Sequence, residues 1–306
     1  MLVHFIHPGN AYLPELEAYA THLQQWGHEA RSHQHAETVP TNARVVWWMC
    51  GRVPTAAHRR FGRAFQVHEY ASASVPPFAW AKDLIKQATQ PQPHYRLFQN
   101  DWVRQRMGFG DEIPWELRDM GIASAFFQPT SSTGAVDFDM VYLGDMRRLA
   151  HFLPVFEGLE QAGLRTLLIG DMPIHLAARF QAFRHITITG KIPYQEVPAQ
   201  LRRARCGLNL VPDQPPYTEQ TSTKLLEYCA VGLPVISTDY HWVRRFAQSN
   251  HATIAYLPAA ASAKSYADRF RHGLEAGCVP PPNMHNWAWP HILGRLGIWE
   301  AAGLSP

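Results

Sequence analysis

In the second half of the chain, apolar residues come in short continuous runs, each ended by glycine or a polar turn, with helix-period segments between them. Asp139–Leu143 (DMVYL) ends at Gly144 and leads to a helical pattern from Arg147 to Ala162. Thr166–Ile169 ends at Gly170 and leads to one over His175–Phe183; Ile186–Thr189 ends at Gly190. A short helix over Pro198–Ala204, a strand over Gly207–Val211, a helix over Thr223–Ala230 and a strand over Pro234–Ser237 complete the series. Continuous apolar runs of this length read as strands buried on both faces. Their alternation with helices across short loops predicts a parallel sheet with right-handed crossovers. Ligands of such sheets sit beyond the carboxyl ends of the strands, so the loops after Leu143, Thr189 and Val211 are where chemistry is expected.

The first half carries a weaker form of the same alternation. Leu2–His7 reads as a strand and Leu13–Trp26 as a helix that Gly27 ends in the left-handed position. Arg44–Cys50 (RVVWWMC) is the clearest strand here, with Phe65–Tyr70 and Tyr95–Phe98 as further strands and a helix around Phe78–Gln87. Residues 104–135 show little periodicity and run into PTSSTGAVD, a polar segment with Gly and Pro that reads as a linker. The expected fold class is α/β with two Rossmann-like domains, over residues 1–133 and 134–280. The Pro-rich, then aromatic, residues 281–306 form a tail packed back on the body.

Composition narrows the function classes. A length of 306 residues suits about two domains, and 46% hydrophobic with 17% charged residues is that of a globular chain. The net charge of +3 is too small for the dense basic stripe of a nucleic-acid binder. It suits a protein that handles phosphates or touches an anionic membrane surface. The four cysteines (Cys50, Cys206, Cys229, Cys278) form no Cys-x-x-Cys pair and read as buried reduced thiols of a reducing compartment. The first residues lack the basic start and apolar core of a signal peptide, and no run nears the ~20 apolar residues of a membrane span. The expectation is a cytoplasmic protein that at most lies on the inner face of a membrane.

The segment richest in chemistry is EQTSTKLLEYCAVGLPVIST, Glu219 to Thr238. Thr221, Ser222 and Thr223 offer N-cap hydroxyls to the helix that follows, which Gly232 and Pro234 close. Leu225, Leu226 and Cys229 share the face expected to pack on the sheet, and Thr223, Lys224 and Glu227 share the opposite face. A cation and free N–H groups thus stand at a helix N-terminus, with a carboxylate one turn deeper. That arrangement can cradle a diphosphate and accept from ribose hydroxyls. From spacing alone, a surface ion pair between Lys224 and Glu227 explains the pattern equally well.

This segment resembles the donor site of family-4 retaining glycosyltransferases, whose GT-B fold sets two Rossmann-like domains with parallel sheets facing across a cleft. Their Glu-x7-Glu motif matches Glu219 and Glu227, and VGLPVIST matches its sequel. The resemblance covers about Asp139 to Ser237. It implies that Glu227 binds the ribose of a nucleotide sugar and that Glu219 reads the donor sugar. It implies phosphate contacts from Gly144, Arg147 or Arg148 (Arg147 preferred) and Lys224, and base contacts from the turn Gly190, Lys191, Ile192 and Pro193. The family's Phe-Gly after the first glutamate is replaced here by Gln220-Thr221-Ser222. By position, His68 matches the histidine that approaches the donor sugar from the other domain, with Glu69 beside it. The Gly9-Asn10 turn resembles the loop that admits the acceptor.

The resemblance implies transfer of a hexose from a UDP, GDP or other nucleoside diphosphate sugar to the hydroxyl of a glycan, a lipid-linked saccharide or another acceptor. Retention is implied, with no metal and no cofactor beyond the donor, and bacterial relatives of this kind build polysaccharides. The rivals are an inverting transferase or nucleotide-sugar epimerase on the same scaffold, or a non-catalytic nucleotide-sugar-binding subunit. Asp137-Phe138-Asp139 imitates a metal motif but precedes a parallel strand, so no metal is expected there. Arg202, Arg203 and Arg205 read as a solvated face, and Arg59, Arg60 and Arg63 as a charged surface that leaves room for peripheral membrane contact. Trp287 and Trp289 read as anchors of the tail.

Overall fold

Ten elements open the chain: β1 (Leu2–Ile6), α1 (Pro14–Gln25), β2 (Glu29–His33), β3 (Val45–Trp48), α2 (Thr55–Arg60), β4 (Phe65–Tyr70), α3 (Ala79–Thr89), β5 (Tyr95–Phe98), α4 (Asp101–Met107) and β6 (Trp115–Leu117). They are seen in a computed structural model that describes residues 1–9, 13–49, 51–75, 77–128, 136–275 and 279–306. All six strands pair in parallel, in the order β2-β1-β3-β4-β5-β6. The order reverses between β1 and β3. The Leu13–Trp26 helix begins at Pro14, whose fixed φ suits a first turn.

The remaining elements are β7 (Phe138–Leu143), α5 (Leu153–Gln161), β8 (Thr166–Ile169), α6 (Ile174–Gln181), β9 (Ile186–Ile188), α7 (Val197–Leu201), β10 (Ala204–Asn209), α8 (Thr223–Ala230), β11 (Val235–Thr238), α9 (His241–Ser249), β12 (Ala255–Leu257), α10 (Ala263–Glu275), α11 (Trp289–Leu293) and α12 (Ile298–Ala301). The second sheet is also parallel, in the order β12-β11-β10-β7-β8-β9. This is the doubly wound dinucleotide-binding order, with its switch point between β7 and β10. Its core joins Met140, Tyr142, Leu168 and Leu208 of the strands to Phe156, Phe180, Tyr266 and Phe270 of the helices.

The chain divides into one unit of Met1–Gly121 with Trp287–Pro306, and another of Ile122–Asn286. The divide thus falls before the segment that reads as a linker in sequence, most of which lies outside the described residues. Residues 122–128 join the second unit because Phe126 packs on Tyr194 and Arg202 donates to the carbonyls of Phe126 and Gln128. Residues 287–306 are an integral layer of the first unit. Trp299 is buried against Tyr19, His22, Trp26 and Trp47, and Trp289 lies on Gly121 so closely that a side chain there would collide with its ring.

Candidate functional site

At the switch point the two central strands of the second sheet stay paired only as far as Val141 and Gly207. Beyond that a tyrosine from α8 stands between them. The Leu143 N–H donates to the Tyr228 hydroxyl at 2.7 Å, and that hydroxyl donates to the Leu208 carbonyl at 3.3 Å. The strand ends are thereby held apart and still satisfied, which opens a crevice. Gly144 follows β7 at φ +132°, and Gly170 follows β8 at φ +149° with the Gly144 carbonyl against its Cα. Only glycine takes both that backbone and that approach.

The N-terminus of α8 enters this crevice. Ser222 is its N-cap, but the Ser222 side chain makes no capping bond. Its hydroxyl donates instead to Asn209 Oδ1 at 2.7 Å, and Asn209 in turn donates to Ser237 and Tyr240. The expectation that these hydroxyls cap the helix is therefore corrected at Ser222. The first N–H groups of α8 are left without that side-chain acceptor, at the positive end of the helix dipole, where an anion is favoured.

Both chemically suggestive side chains of α8 are buried, as is every residue from Lys224 to Cys229. The face of Lys224 and Glu227 is thus enclosed as well, and the surface ion pair is excluded. Lys224 and Glu227 form no ion pair within 4 Å among the described residues. Lys224 Nζ lies 3.2 Å from the Tyr142 hydroxyl, 3.4 Å from the Leu210 carbonyl and over the Tyr142 ring. Burial pushes its ammonium down to about 7, reinforced by Arg148 and opposed by Asp145 and Glu227. Burial likewise pushes the Glu227 carboxyl up to about 7, against the hydrogen bond from Tyr194 (2.7 Å) and the charge of Lys224. Tyr194 stands just past the Gly190–Ile192 turn, so the loop after β9 does reach Glu227. The turn itself is set by Gly190 (φ +73°), whose carbonyl accepts from Gly170 and Thr189, while Lys191 is exposed and Ile192 half-buried.

The two arginines after β7 point differently. Arg147 is 77% exposed and closes a bidentate pair on Asp145. Arg148, not the preferred Arg147, lines a cavity of about 160 Å³ with Tyr217, Thr221, Ser222, Thr223 and Lys224, its guanidinium over the Tyr217 ring. Glu219 is apart from this cavity and accepts from His241 Nδ1 at 2.6 Å. Arg148, Lys224 and the start of α8 therefore converge, and Glu227 lies one turn deeper. Tyr142, Tyr194, Tyr228 and Asn209, which organise them, carry no sequence signal; they come together only through the sheet.

In the first unit His68 is buried between His58 and Tyr70, and burial with the nearby charges of His58 and Arg96 holds its imidazole well below the usual range. It lines neither of two cavities formed by described residues of this unit. Glu69 lines one of about 140 Å³ with Glu15, Met49, Gly51, Tyr70 and Ser72. The second, of about 420 Å³, lies among Gln99, Asn100, Glu116, Asp119, Ile292 and Arg295. Asn10, of the turn expected to admit an acceptor, lies outside the described residues, as do Cys50 and Cys278. Cys206 and Cys229 are buried and in no disulfide. Asp137 pairs with Arg203, and Asp139 with Arg165 and Arg205. Among the described residues no group of three or more His, Cys, Asp or Glu is placed to hold a metal ion, and no helix is long and apolar enough to cross a membrane.

Residues 137–275 match the family model "Glycosyl transferases group 1". No curated protein sequence matches the chain. Solved structures similar to it include a glycosyltransferase from Rickettsia africae (TM-score 0.70, 12% identity, 98% of each chain). Also similar is AviGT4, a glycosyltransferase involved in avilamycin A biosynthesis (TM-score 0.65, 14% identity, 99% of this chain and 97% of that one). HepE from Anabaena in complex with UDP and glucose is a third (TM-score 0.61, 8% identity, 90% of each chain). The first two are glycosyltransferases, and at such identities the likeness of all three establishes the shared fold, two parallel sheets in an α/β chain.

Proposed function

We propose that the chain, whose two parallel sheets have the GT-B fold, is a glycosyltransferase that moves a hexose from a nucleoside diphosphate sugar to an acceptor hydroxyl, with retention and without a metal. The observation that carries this reading is the pair of buried, mutually unpaired charges Lys224 and Glu227 at the switch point of the second sheet. Burying a charge without a partner is costly, and a diphosphate at the N-terminus of α8 would give Lys224 its counter-charge. Arg148 and the N–H groups of Thr223 and its neighbours would meet the remaining negative charge. Glu227, held by Tyr194, would accept from the ribose hydroxyls. Glu219, paired with His241, is the residue left to read the donor sugar.

In the reaction the bond from the anomeric carbon to the diphosphate oxygen breaks and a bond to the acceptor oxygen forms. The acceptor proton passes to the departing diphosphate. Developing charge falls on oxygens that Arg148, Lys224 and the helix N-terminus already face. Preorganised donors of that kind contribute several kcal/mol in a water-poor site. HepE, whose structure holds UDP and glucose, supports a nucleoside diphosphate sugar as the donor class. Such a donor suits the cytoplasmic side of a membrane. For the acceptor, the larger cavity of the first unit suits a saccharide: Gln99 is buried there with its Oε1 unpartnered, and carboxylates, an arginine and apolar side chains surround it.

A thermal-shift panel of UDP, GDP, ADP and dTDP sugars tests the reading. At 100 times Kd the true donor should stabilise the chain by about 2.7 kcal/mol, and the shift should vanish in Lys224→Ala. A panel without any shift, or one unchanged by that substitution, would sink the reading.

A further inference from the structure

At the start of α8 the residue that ordinarily caps a helix is in place and does not cap. Ser222 has the extended backbone of an N-cap (φ −84°, ψ 97°), from which a serine oxygen accepts from an N–H group of the first turn. The backbone therefore permits the bond. The hydroxyl is turned the other way, onto the Asn209 side chain at 2.7 Å. The cause lies in the hydrogens around Asn209, the last residue of β10, which is fully buried.

Asn209 stands opposite Ser237 in the pairing of β10 with β11. The Ser237 hydroxyl has one hydrogen, and its acceptors are backbone carbonyls, those of Thr238 at 2.7 Å and Asn209 at 3.2 Å. Toward the Asn209 side chain Ser237 can then only accept, so the amide nitrogen must face it, at 2.9 Å. The second Nδ2 hydrogen goes to the Tyr240 hydroxyl at 3.0 Å. That leaves Oδ1 facing Ser222, and a carbonyl oxygen, which only accepts, draws the serine hydrogen to itself. Tyr240 is hydrogen-bonded to Ser222 as well. The serine is thus held on the sheet side. The first turn of α8 stays without its oxygen, in the wall of the cavity of about 160 Å³ that Arg148 also lines.

We propose that Asn209 is a positioning residue for the nucleotide: by holding the Ser222 hydroxyl off α8, it keeps the N–H groups of the first turn from being capped, so that a diphosphate can take them. In a capped α8 the diphosphate would first have to displace the serine oxygen, and affinity would fall by the weight of one cap. Asn209 itself touches no ligand and acts only through Ser222. The inference rests on the donor reading, which places the diphosphate between α8, Lys224 and Arg148.

Calorimetric titration of the full chain tests it, the probe being whichever of UDP, GDP, ADP and dTDP the wild type binds most tightly. Asn209→Leu neither accepts nor donates, so Ser222 is released to the helix, and affinity should fall about fivefold. In a Ser222→Ala background, where no hydroxyl is left to cap, the same Asn209→Leu change should cost less than about twofold. A residue that merely supports the sheet would cost the same in both backgrounds. Equal losses in the two backgrounds, or undiminished affinity in Asn209→Leu, would overturn the inference and leave the donor reading standing. Failure of the wild type to bind any of the four nucleotides would overturn both. Should Asn209→Leu misfold, Tyr240→Phe removes the second hold on Ser222, and a loss of about two- to threefold is expected. That loss should likewise vanish with Ser222→Ala; one that persists, or none at all, overturns the inference.

Discussion

Each unit buries charged side chains at the carboxyl ends of its central strands, and the two units treat them differently. In the first, Glu69 is fully engaged: Arg118 pairs with one carboxylate oxygen, while Tyr19 and Trp47 donate to the other at 3.0 and 2.7 Å. Arg118 also lies 3.7 Å from Glu15 and near the rings of Tyr19 and Trp289. In the second, among the described residues, Lys224 has only a hydroxyl and a carbonyl, and Glu227 only one tyrosine. The first cluster is closed by the protein itself. The second is complete only when something else supplies charge, and that separates a buried charge with a structural role from one that awaits a ligand.

Removing a partner from the closed cluster should therefore cost the most. Arg118→Met leaves two buried carboxylates uncompensated, and a loss of about 3–5 kcal/mol of stability is expected, read as a lower urea midpoint. If stability holds, the cluster is not structural and the contrast fails. In the open site, Lys224→Met should behave oppositely. Turnover should fall about 10²–10³-fold, while the urea midpoint stays at or above that of the wild type because an unpaired buried charge has been removed.

The contrast sharpens with pH. Burial holds the Lys224 ammonium down at about 7 in the donor-free chain, and a bound diphosphate raises it. Above about pH 7 binding must therefore take up a proton, so affinity should fall as pH rises, by up to about tenfold per unit. Below about 7 the lysine is already charged and this dependence levels off. Calorimetric titration of UDP into the wild type and Lys224→Met should differ in slope above pH 7. Parallel slopes would show that Lys224 does not meet the diphosphate. The smallest effect is expected from Tyr194→Phe, which deletes one hydrogen bond to Glu227. About 1 kcal/mol, or roughly a fivefold rise in the KM for donor, should follow with little change in turnover.

Much of the second unit is legible in the sequence because β7 and β8 are mainly apolar runs closed by glycine; β10, ARCGLN, begins three residues before the apolar run that marks it. The edges are not legible. Glu29–His33 has no buried residue and a single apolar one, Ala30, and Trp115–Leu117 spans three residues, so pairing with a neighbour, rather than local pattern, makes them strands. The spacing of Lys224 and Glu227 marks them as a unit, but not their burial, which depends on Tyr142 and Tyr194 arriving from 82 and 33 residues away. Nor can adjacent arginines be told apart by spacing. The short turn after β7 sends Arg147 to Asp145 and Arg148 to the cavity. Ser222 reads as a cap until Asn209, 13 residues earlier in the chain, takes its hydroxyl.

The return of residues 287–306 to the first unit bears on synthesis. Tyr19, Trp26 and Trp47 are made before the second unit, yet the indole that covers them, Trp299, is made after it. At about 5–20 residues per second, translating the whole second unit leaves that aromatic surface uncovered for roughly ten to thirty seconds. The nascent first unit is thus a client for chaperones through that interval, and the second unit, whose segments are consecutive, can finish folding before it.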